Sequence, residues 1–346
     1  MGVAHIERIH AGFIVIGLGA SILGAGARAD TFVSKQDGSW NELSTWCQNG
    51  GAAVRVPDAS GDDIAIIQHT VEVDRANSVM WFIISSEGTL RIVTKASLSM
   101  GGLTPGGQID GTLEIYGGNF IVDSPALVTV SPFGVILMDG GDPALTVNAM
   151  EGIILDSYGL SAIFVDPAPD SGPDAVISGT GSILSPSEDN EIVINLTHSS
   201  QDIELRLDGA MLEGAMRIRK GGGGNALFDN RGIVRAEDTG SIPGSLVLDS
   251  SLHSITDTAA SSCTNPRWRA SSSGWLQFGR SATGLASAFG VSGTLGVAWG
   301  ATVTTSGGLV VGTHAAIVGT FNYNHATCSG VLPPDSDEDV PCDDCP

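Results

Sequence analysis

The stretch Glu-Gly-Thr-Leu-Arg-Ile at 87–92 returns as Asp-Gly-Thr-Leu-Glu-Ile at 110–115 and as Phe-Gly-Val-Ile-Leu-Met at 133–138, at a spacing of 23 residues. Apolar residues alternate with polar or small ones in the first two copies, which places alternate side chains on opposite faces of a strand. One such unit cannot bury its apolar side alone, so we expect successive units to stack and share a continuous core. The sequence therefore predicts an all-β chain wound as a right-handed, single-stranded parallel β-helix. One or two β-sandwiches are the alternative. Later copies of the phrase begin at residues 151, 213, 231 and 292.

Composition favours short strands joined by tight turns over a compact helical enzyme. Glycine accounts for 47 of the 346 residues, while aromatic residues make up 5% and charged residues 16%. The formal net charge is −22, from 16 Lys and Arg against 38 Asp and Glu. Phosphate binding needs a basic surface, so the charge excludes nucleic acid as a partner.

The first 29 residues are organised like a cleavable signal peptide. A short segment with Arg8 precedes an apolar, glycine-broken run at 11–25, and small residues at 27 and 29 follow it. The run is shorter than the roughly 20 apolar residues of a membrane-spanning helix. We therefore expect cleavage before Asp30, no transmembrane segment in the mature chain, and a secreted, cell-surface or periplasmic location.

Three phrases follow the signal peptide in a fixed order. The segment 37–46 contains Gly-Ser-Trp and a second Trp, 56–67 contains Val-Pro and Gly-Asp-Asp-Ile, and 69–74 reads His-Thr-Val-Glu-Val-Asp. This order resembles the start of secreted bacterial parallel β-helix surface proteins, among them adhesins and autotransporter-like passengers. The resemblance implies an N-terminal cap followed by β-helix coils, and it implies no activity.

The two tryptophans in this region suit a structural cap. The open end of a β-helix exposes core and strand edge and must be covered, and Trp40 and Trp46 are large enough to cover it. A sugar-stacking platform is the alternative for this pair. We expect Asp62 and Asp63 to end a turn rather than bind a metal.

The last twenty residues differ from the repeats. The acidic run at 335–339 places Asp335, Asp337 and Asp339 at alternate positions, and hard carboxylate oxygens are what calcium prefers. The run resembles a thrombospondin type 3 calcium repeat, although Val340 stands where that repeat has glycine. The resemblance implies calcium as the one candidate cofactor, with a solvated acidic tail as the alternative. The chain accordingly divides into a signal peptide at 1–29, a cap and first coils at 30–75, β-helix repeats at 76–326, and an acidic tail, expected to be disordered, at 327–346.

Five cysteines are present, and an exported chain can form disulfides. An odd number cannot all pair within one chain, so the pairing stays open. The cysteines are Cys47, Cys263, Cys328, Cys342 and Cys345.

Residues that could carry polysaccharide cleavage are one basic cluster, spread over a strand and a turn, and several separate acidic residues. A lyase would need a cationic base near carboxylates, and the basic candidates are Arg206, Arg217, Arg219 and Lys220. A hydrolase would need two carboxylates at a defined separation. The acidic candidates lie in turn-like sequence, where Asp is common for its own backbone bonding; they are Asp139, Asp142 and Asp156.

Three functions remain open at this point. The sequence favours a non-catalytic extracellular or cell-surface scaffold with an adhesin-like binding surface, whose partner would be a polysaccharide or a surface protein. A polysaccharide lyase or hydrolase on the same fold is the second. A calcium- or carbohydrate-binding module of a larger secreted protein is the third. Fold alone does not decide among them.

Overall fold

The computed structural model describes residues 29–101, 105–156, 159–167, 174–198, 201–237, 244–261, 265–312 and 315–323. Within these ranges the regular structure is almost entirely strand, with two short 3₁₀ helices at Leu43–Thr45 and Ala59–Gly61. The strands are β1 (Thr31–Ser34), β2 (Gly38–Ser39), β3 (Trp46–Gln48), β4 (Gly51–Ala52), β5 (Ile64–Ile67), β6 (Thr70–Val73), β7 (Ala76–Val79), β8 (Trp81–Ile84), β9 (Thr89–Val93), β10 (Ser97–Met100), β11 (Gly106–Ile109), β12 (Thr112–Tyr116), β13 (Asn119–Val122), β14 (Leu127–Val130), β15 (Val135–Asp139), β16 (Ala144–Val147), β17 (Ile153–Leu155), β18 (Ala162–Val165), β19 (Ala175–Ser178), β20 (Ser182–Ile194), β21 (Asp202–Asp208), β22 (Met211–Lys220), β23 (Asn225–Asn230), β24 (Ile233–Ala236), β25 (Ser245–Leu248), β26 (Ser254–Thr256), β27 (Trp268–Ala270), β28 (Trp275–Phe278), β29 (Ala282–Leu285), β30 (Phe289–Val291), β31 (Thr294–Val297), β32 (Thr302–Thr305), β33 (Leu309–Val311), β34 (Ala316–Val318) and β35 (Thr320–Tyr323).

From β5 onward the strands form three parallel stacks, because each strand pairs with one a full coil further along the chain. The first face runs β5, β8, β11, β14, β17, β20, β22, β24, β27, β30, β33. The second face runs β6, β9, β12, β15, β18, β20, β22, β25, β28, β31, β34. The third runs β7, β10, β13, β16, β19, β21, β23, β26, and a separate stack of β29, β32 and β35 follows. The long strands β20 and β22 each bend from the first face to the second.

Stacking in register gives the core its continuity. The inward positions of the second face line up, coil on coil, as an unbroken column of buried side chains. Each such side chain, removed from water, contributes about 1.5–3 kcal/mol of hydrophobic free energy. The column consists of Val71, Leu90, Leu113, Ile136, Ile163, Ile192, Ile218, Leu248, Phe278 and Val297.

The glycines of the repeated phrase lie where successive coils approach most closely. A Cβ on Gly88 would be 2.2 Å from the Ile67 carbonyl oxygen, and one on Gly134 would be 2.1 Å from the Ile109 carbonyl oxygen. Both contacts are with the backbone of the preceding coil, which cannot move aside as a flexible side chain could. Close approach of the backbone therefore explains the recurring glycine.

A short antiparallel strand covers the N-terminal end. The strand β3 pairs antiparallel with β1, whose other edge pairs in parallel with β5. Trp40 and Trp46 are fully buried there, with ring centroids 5.2 Å apart at an interplanar angle of 76°. Their indole N–H groups donate to the carbonyl oxygens of Pro57 at 3.1 Å and of Trp40 at 2.9 Å, respectively. Complete burial makes the sugar-stacking alternative for this pair wrong.

A buried carboxylate ties the segment that precedes β5 to the first coil. Asp63 is fully buried and accepts hydrogen bonds from Arg55 and from the backbone N–H of Asp58, the latter at 2.9 Å. Arg55 also pairs with Asp30 at 2.9 Å. These carboxylates raise the pKa of Arg55, which therefore stays charged. The buried charge of Asp63 is therefore compensated by hydrogen-bond donors from the protein itself.

The parallel β-helix predicted from the sequence is confirmed, and the β-sandwich alternative is wrong because the stacks pair in parallel. Not all copies of the phrase occupy one corner. Those at Gly88, Gly111 and Gly134 lie between the first and second faces, whereas Gly152 and Gly232 precede strands of the first face. The repeated phrase therefore marks a corner where the backbones of successive coils approach closely. Such corners occur at more than one position within the coil. The right-handed winding stays a prediction.

Several predictions concern residues that the structure does not describe. The signal peptide falls almost wholly in 1–28, and the acidic tail falls in 324–346. Cys47 is a free thiol among the described residues. No helix within the described ranges is long and apolar enough to cross a membrane. The other four cysteines, Cys263, Cys328, Cys342 and Cys345, lie outside the described residues.

Candidate functional site

The register between neighbouring strands shifts in β29 and, over more residues, in the long strand β20. Its register against β22 is continuous up to the pair Pro186 and Ala215 and resumes at the pair Glu191 and Arg217. Four residues of β20, at 187–190, therefore face a single residue of β22. Bulges that interrupt a regular sheet are over-represented beside binding and active sites.

The bulge borders a pocket of about 410 Å³ on the second face, which we call the bulge pocket. Three successive coils contribute to it: the start of β18, the bulge of β20, and β22. Three apolar side chains, one hydroxyl, three carboxylates and one guanidinium meet in it. The lining residues are Leu160, Ser161, Ala162, Phe164, Glu188, Asp189, Glu191 and Arg217.

Buried hydrogen bonds hold the bulge in place. Asn190 is fully buried; its amide donates to the Asp156 carbonyl oxygen at 2.9 Å, and its side-chain oxygen accepts from the Ser161 backbone at 3.1 Å. Gly159 has a positive φ of 82°, and a Cβ there would be 2.6 Å from the Cβ of Asp189. The preceding coil is therefore shaped to receive the bulge, and the pocket wall is anchored at its base.

One carboxylate of the pocket is already paired. Arg219 donates to Glu191 from Nε at 2.9 Å and from Nη2 at 2.6 Å. This pairing raises the pKa of Arg219, so the guanidinium remains charged. Glu188, Asp189 and Arg217 are exposed, and Arg217 makes no ion pair with another described residue. These three groups are the ones available to a ligand.

The structure brings together only part of the predicted basic cluster. Arg217, Arg219 and Lys220 share the second half of β22. Arg206 lies on the third face, where it contacts Glu204 at 3.0 Å and Asp229 at 3.3 Å. Of the basic residues considered for a lyase, only Arg217, Arg219 and Lys220 therefore lie together.

The acidic residues predicted for a hydrolase do not line the pocket. Asp139 ends β15 and accepts from the backbone N–H of Gly140 at 2.6 Å. Asp142 lies between β15 and β16 with a φ of 54°, and Asp156 directly follows β17. Sequence reasoning missed Glu188, Asp189 and Glu191. Their signal was the polar run at 185–191, which interrupts an otherwise strand-like stretch.

The predicted calcium ligands Asp335, Asp337 and Asp339 lie outside the described residues, so calcium binding stays a prediction. Among the residues that are described, no group of three His, Cys, Asp or Glu side chains is placed to hold a metal ion.

Comparison with known proteins gives little. No protein-family model matches the chain, and no curated protein matches it. A search of solved structures finds a fragment of TibA in the hyperglycosylated form produced by TibC, with 12% identity and a TM-score of 0.31. That match covers 84% of this chain and 94% of the fragment. The fold assignment therefore rests on the strand pairings themselves.

Proposed function

We propose that this chain is an exported extracellular or cell-surface scaffold of adhesin-like character, which binds its partner at the bulge pocket without catalysis. The observation that carries the proposal is the register break at 187–190. It turns one place on the solenoid into a pocket with both apolar and charged walls. Pockets of this kind, with an apolar surface and a few placed polar groups, are the usual form of a binding site.

The chemistry of the pocket favours a ligand that offers donors. Glu188 and Asp189 would accept hydrogen bonds from hydroxyl or ammonium groups, and Arg217 would donate to an oxygen. Phe164 and Leu160 offer apolar surface to the carbon skeleton. A polysaccharide or the surface of another extracellular protein can present such groups.

Binding is tested with the mature chain, residues 30–346, on immobilised extracellular polysaccharides and surface proteins. We expect retention by at least one of them, and a loss of about tenfold in affinity for Asp189→Asn and Arg217→Ala. Asp208→Asn, at an exposed position on the third face, is the matched control. Equal retention of the pocket variants and the control would contradict the pocket as the binding site.

Polysaccharide cleavage is the second candidate, because three carboxylates and Arg217 line one pocket and Arg219 holds Glu191. Uronate and neutral polysaccharides are incubated with the mature chain, with and without calcium. New reducing ends, or absorbance from unsaturated uronates, would show cleavage. If that signal is lost in Arg217→Ala or Asp189→Asn, the chain is an enzyme and the non-catalytic scaffold proposal is wrong.

Export has its own test. The full chain is expressed in a bacterial host, the cells are fractionated, and the product is sequenced from its N-terminus. We expect product outside the cytoplasm beginning at Asp30. Product that stays in the cytoplasm with residues 1–29 attached would contradict export.

A further inference from the structure

A second exposed feature lies on the first face, away from the bulge pocket. Trp81 begins β8, points outward and is 37% exposed. In the next coil, Gly106 pairs with Trp81 and Gly107 pairs with Phe82. The two aromatic side chains of β8 thus lie on opposite sides of the sheet, and each faces a glycine of β11.

The indole of Trp81 lies flat over Gly106. A Cβ built on Gly106 would be 2.3 Å from Cζ3 and 2.8 Å from each neighbouring ring atom, Cε3 and Cη2. Distances so nearly equal place that point over the ring face, since a point beyond the rim would be much further from the two neighbours. Only glycine leaves room for this arrangement. One face of the indole therefore rests on backbone and the other faces solvent.

Trp275 provides a contrast within the same molecule. It also begins a strand, is 46% exposed and has a glycine nearby in the next coil. A Cβ on Gly296 would be 2.6 Å from Nε1 but 3.5 and 3.6 Å from the two adjacent ring atoms. Those distances place Gly296 at the rim, so Trp275 meets it edge-on.

The surroundings of Trp81 combine an apolar side chain with an amide and a carboxylate. Leu127 follows Gly106 in the same outward row and is 43% exposed. Gln108 is exposed two residues along β11 and donates to the two carboxylate oxygens of Asp110 at 2.9 and 3.1 Å. We call Trp81, Gly106, Gln108 and Leu127 the tryptophan shelf.

The charge around the shelf selects against anionic ligands. On the first face, the strands from β5 to β17 contain no arginine or lysine, and those of β20 and β22 add none before Arg217. The whole chain carries a formal charge of −22. Arg55, which lies beside Asp63 just before β5, is already paired with Asp30 and Asp63. A uronate would therefore meet a repulsive field with no unpaired cation on these strands.

We propose that the tryptophan shelf binds a neutral pyranose unit of an extracellular glycan. The C–H face of the sugar stacks on the solvent-facing side of the indole, and its hydroxyl groups exchange hydrogen bonds with Gln108 and Asp110. Leu127 extends the apolar surface towards the next sugar along the first face. The shelf is separate from the bulge pocket, so this proposal stands or falls independently of the function proposed there.

The test measures retention of the mature chain on neutral glucan, mannan, galactan, xylan and chitin, followed by calorimetric titration with hexasaccharides of the retained glycan. Trp81→Ala is expected to lose affinity about tenfold, the loss of one aromatic stacking contact. Gly106→Ala keeps the indole but lifts it from the sheet, and a comparable loss is expected. Trp275→Ala is the matched control, and it should bind as the unaltered chain does.

Circular dichroism and thermal melting of each variant establish that it is folded. Trp81 is partly exposed and points outward, so Trp81→Ala should fold even if Gly106→Ala does not. Failure of the unaltered chain to bind any of the five glycans would overturn the proposal. So would equal binding by Trp81→Ala, or an equal loss in Trp275→Ala.

Discussion

At the scale of the residue, glycine has a steric role that differs from one position to the next. Gly111 is packed so closely that a Cβ would be 2.2 Å from the Ser85 carbonyl oxygen, whereas a Cβ on Gly141 would meet nothing within 4 Å. We expect Gly111→Ala to lower the free energy of unfolding by about 1–3 kcal/mol, because two backbones must separate. Gly141→Ala should change it by less than about 0.5 kcal/mol. Urea unfolding of both variants measures the difference. Equal destabilisation of the two variants would show that close backbone approach is not the reason why glycine recurs.

A buried carboxylate gives the stability a dependence on pH. Asp257 is 3% exposed, and Trp268 Nε1 donates to its Oδ2 at 2.8 Å. Burial raises the pKa of Asp257 above its ordinary value of 3.8, although hydrogen bonds from Ser287 and Trp268 oppose the shift. The folded state therefore binds the proton more tightly than the unfolded state does. The stabilisation that protonated Asp257 contributes is therefore fully present below pH 3.8. It is lost as the pH rises through the raised pKa of the folded state.

Replacing this group by its neutral amide should remove that dependence. In Asp257→Asn an oxygen can still accept from Trp268, and no charge is buried at neutral pH. We expect the stability of the variant, relative to the unaltered chain, to be higher at pH 7 than at pH 3.5. Chemical denaturation at both values measures it, with the exposed Asp208→Asn as control. A relative stability that is the same at both pH values would refute the assignment.

At the scale of the element, the end of the solenoid depends on a few large side chains. Trp46 is fully buried against Trp40 and Phe32, and it lies in the strand that covers the edge of β1. Trp46→Ala should cost about 3–5 kcal/mol of unfolding free energy, since it leaves a cavity and loosens the covering strand. An exposed strand edge also invites association between chains.

Thermal melting combined with light scattering tests the cap. The variant should melt earlier and scatter more light than the unaltered chain. Trp299→Ala, which removes a fully exposed indole, should match the unaltered chain in both measurements. A Trp46→Ala chain that melts normally would show that the coils need no cover at this end.

The elements also show what the sequence could predict and what it could not. Alternation and a recurrent glycine are local properties, so the strands and their parallel stacking follow from stretches such as 87–92 and 110–115. The bulge pocket joins residues of three coils, and its walls come together only because the register breaks at 187–190. The tryptophan shelf depends on one pairing between coils, that of Trp81 with Gly106. A single sequence does not show which residues become neighbours in successive coils.

At the scale of the whole molecule, a solenoid is stabilised by contacts between adjacent coils, so a whole coil should be removable. Deleting 112–134 joins Gly111 to Val135, the residue that pairs with Thr112. Val135 then takes the place of Thr112 against Thr89, and β16 falls in register over β10. The buried column of the second face loses one side chain and remains continuous.

We therefore expect the deleted chain to fold with an unchanged circular dichroism per residue and a moderately lowered melting temperature. The matched control deletes only 112–122, which joins Gly111 to Asp123 and brings a first-face strand to a second-face position. That change misplaces the inward side chains of every later coil, so the control should unfold or aggregate. If both deletions are equally destructive, stability does not reside in contacts between neighbouring coils, and the stack behaves as one indivisible unit.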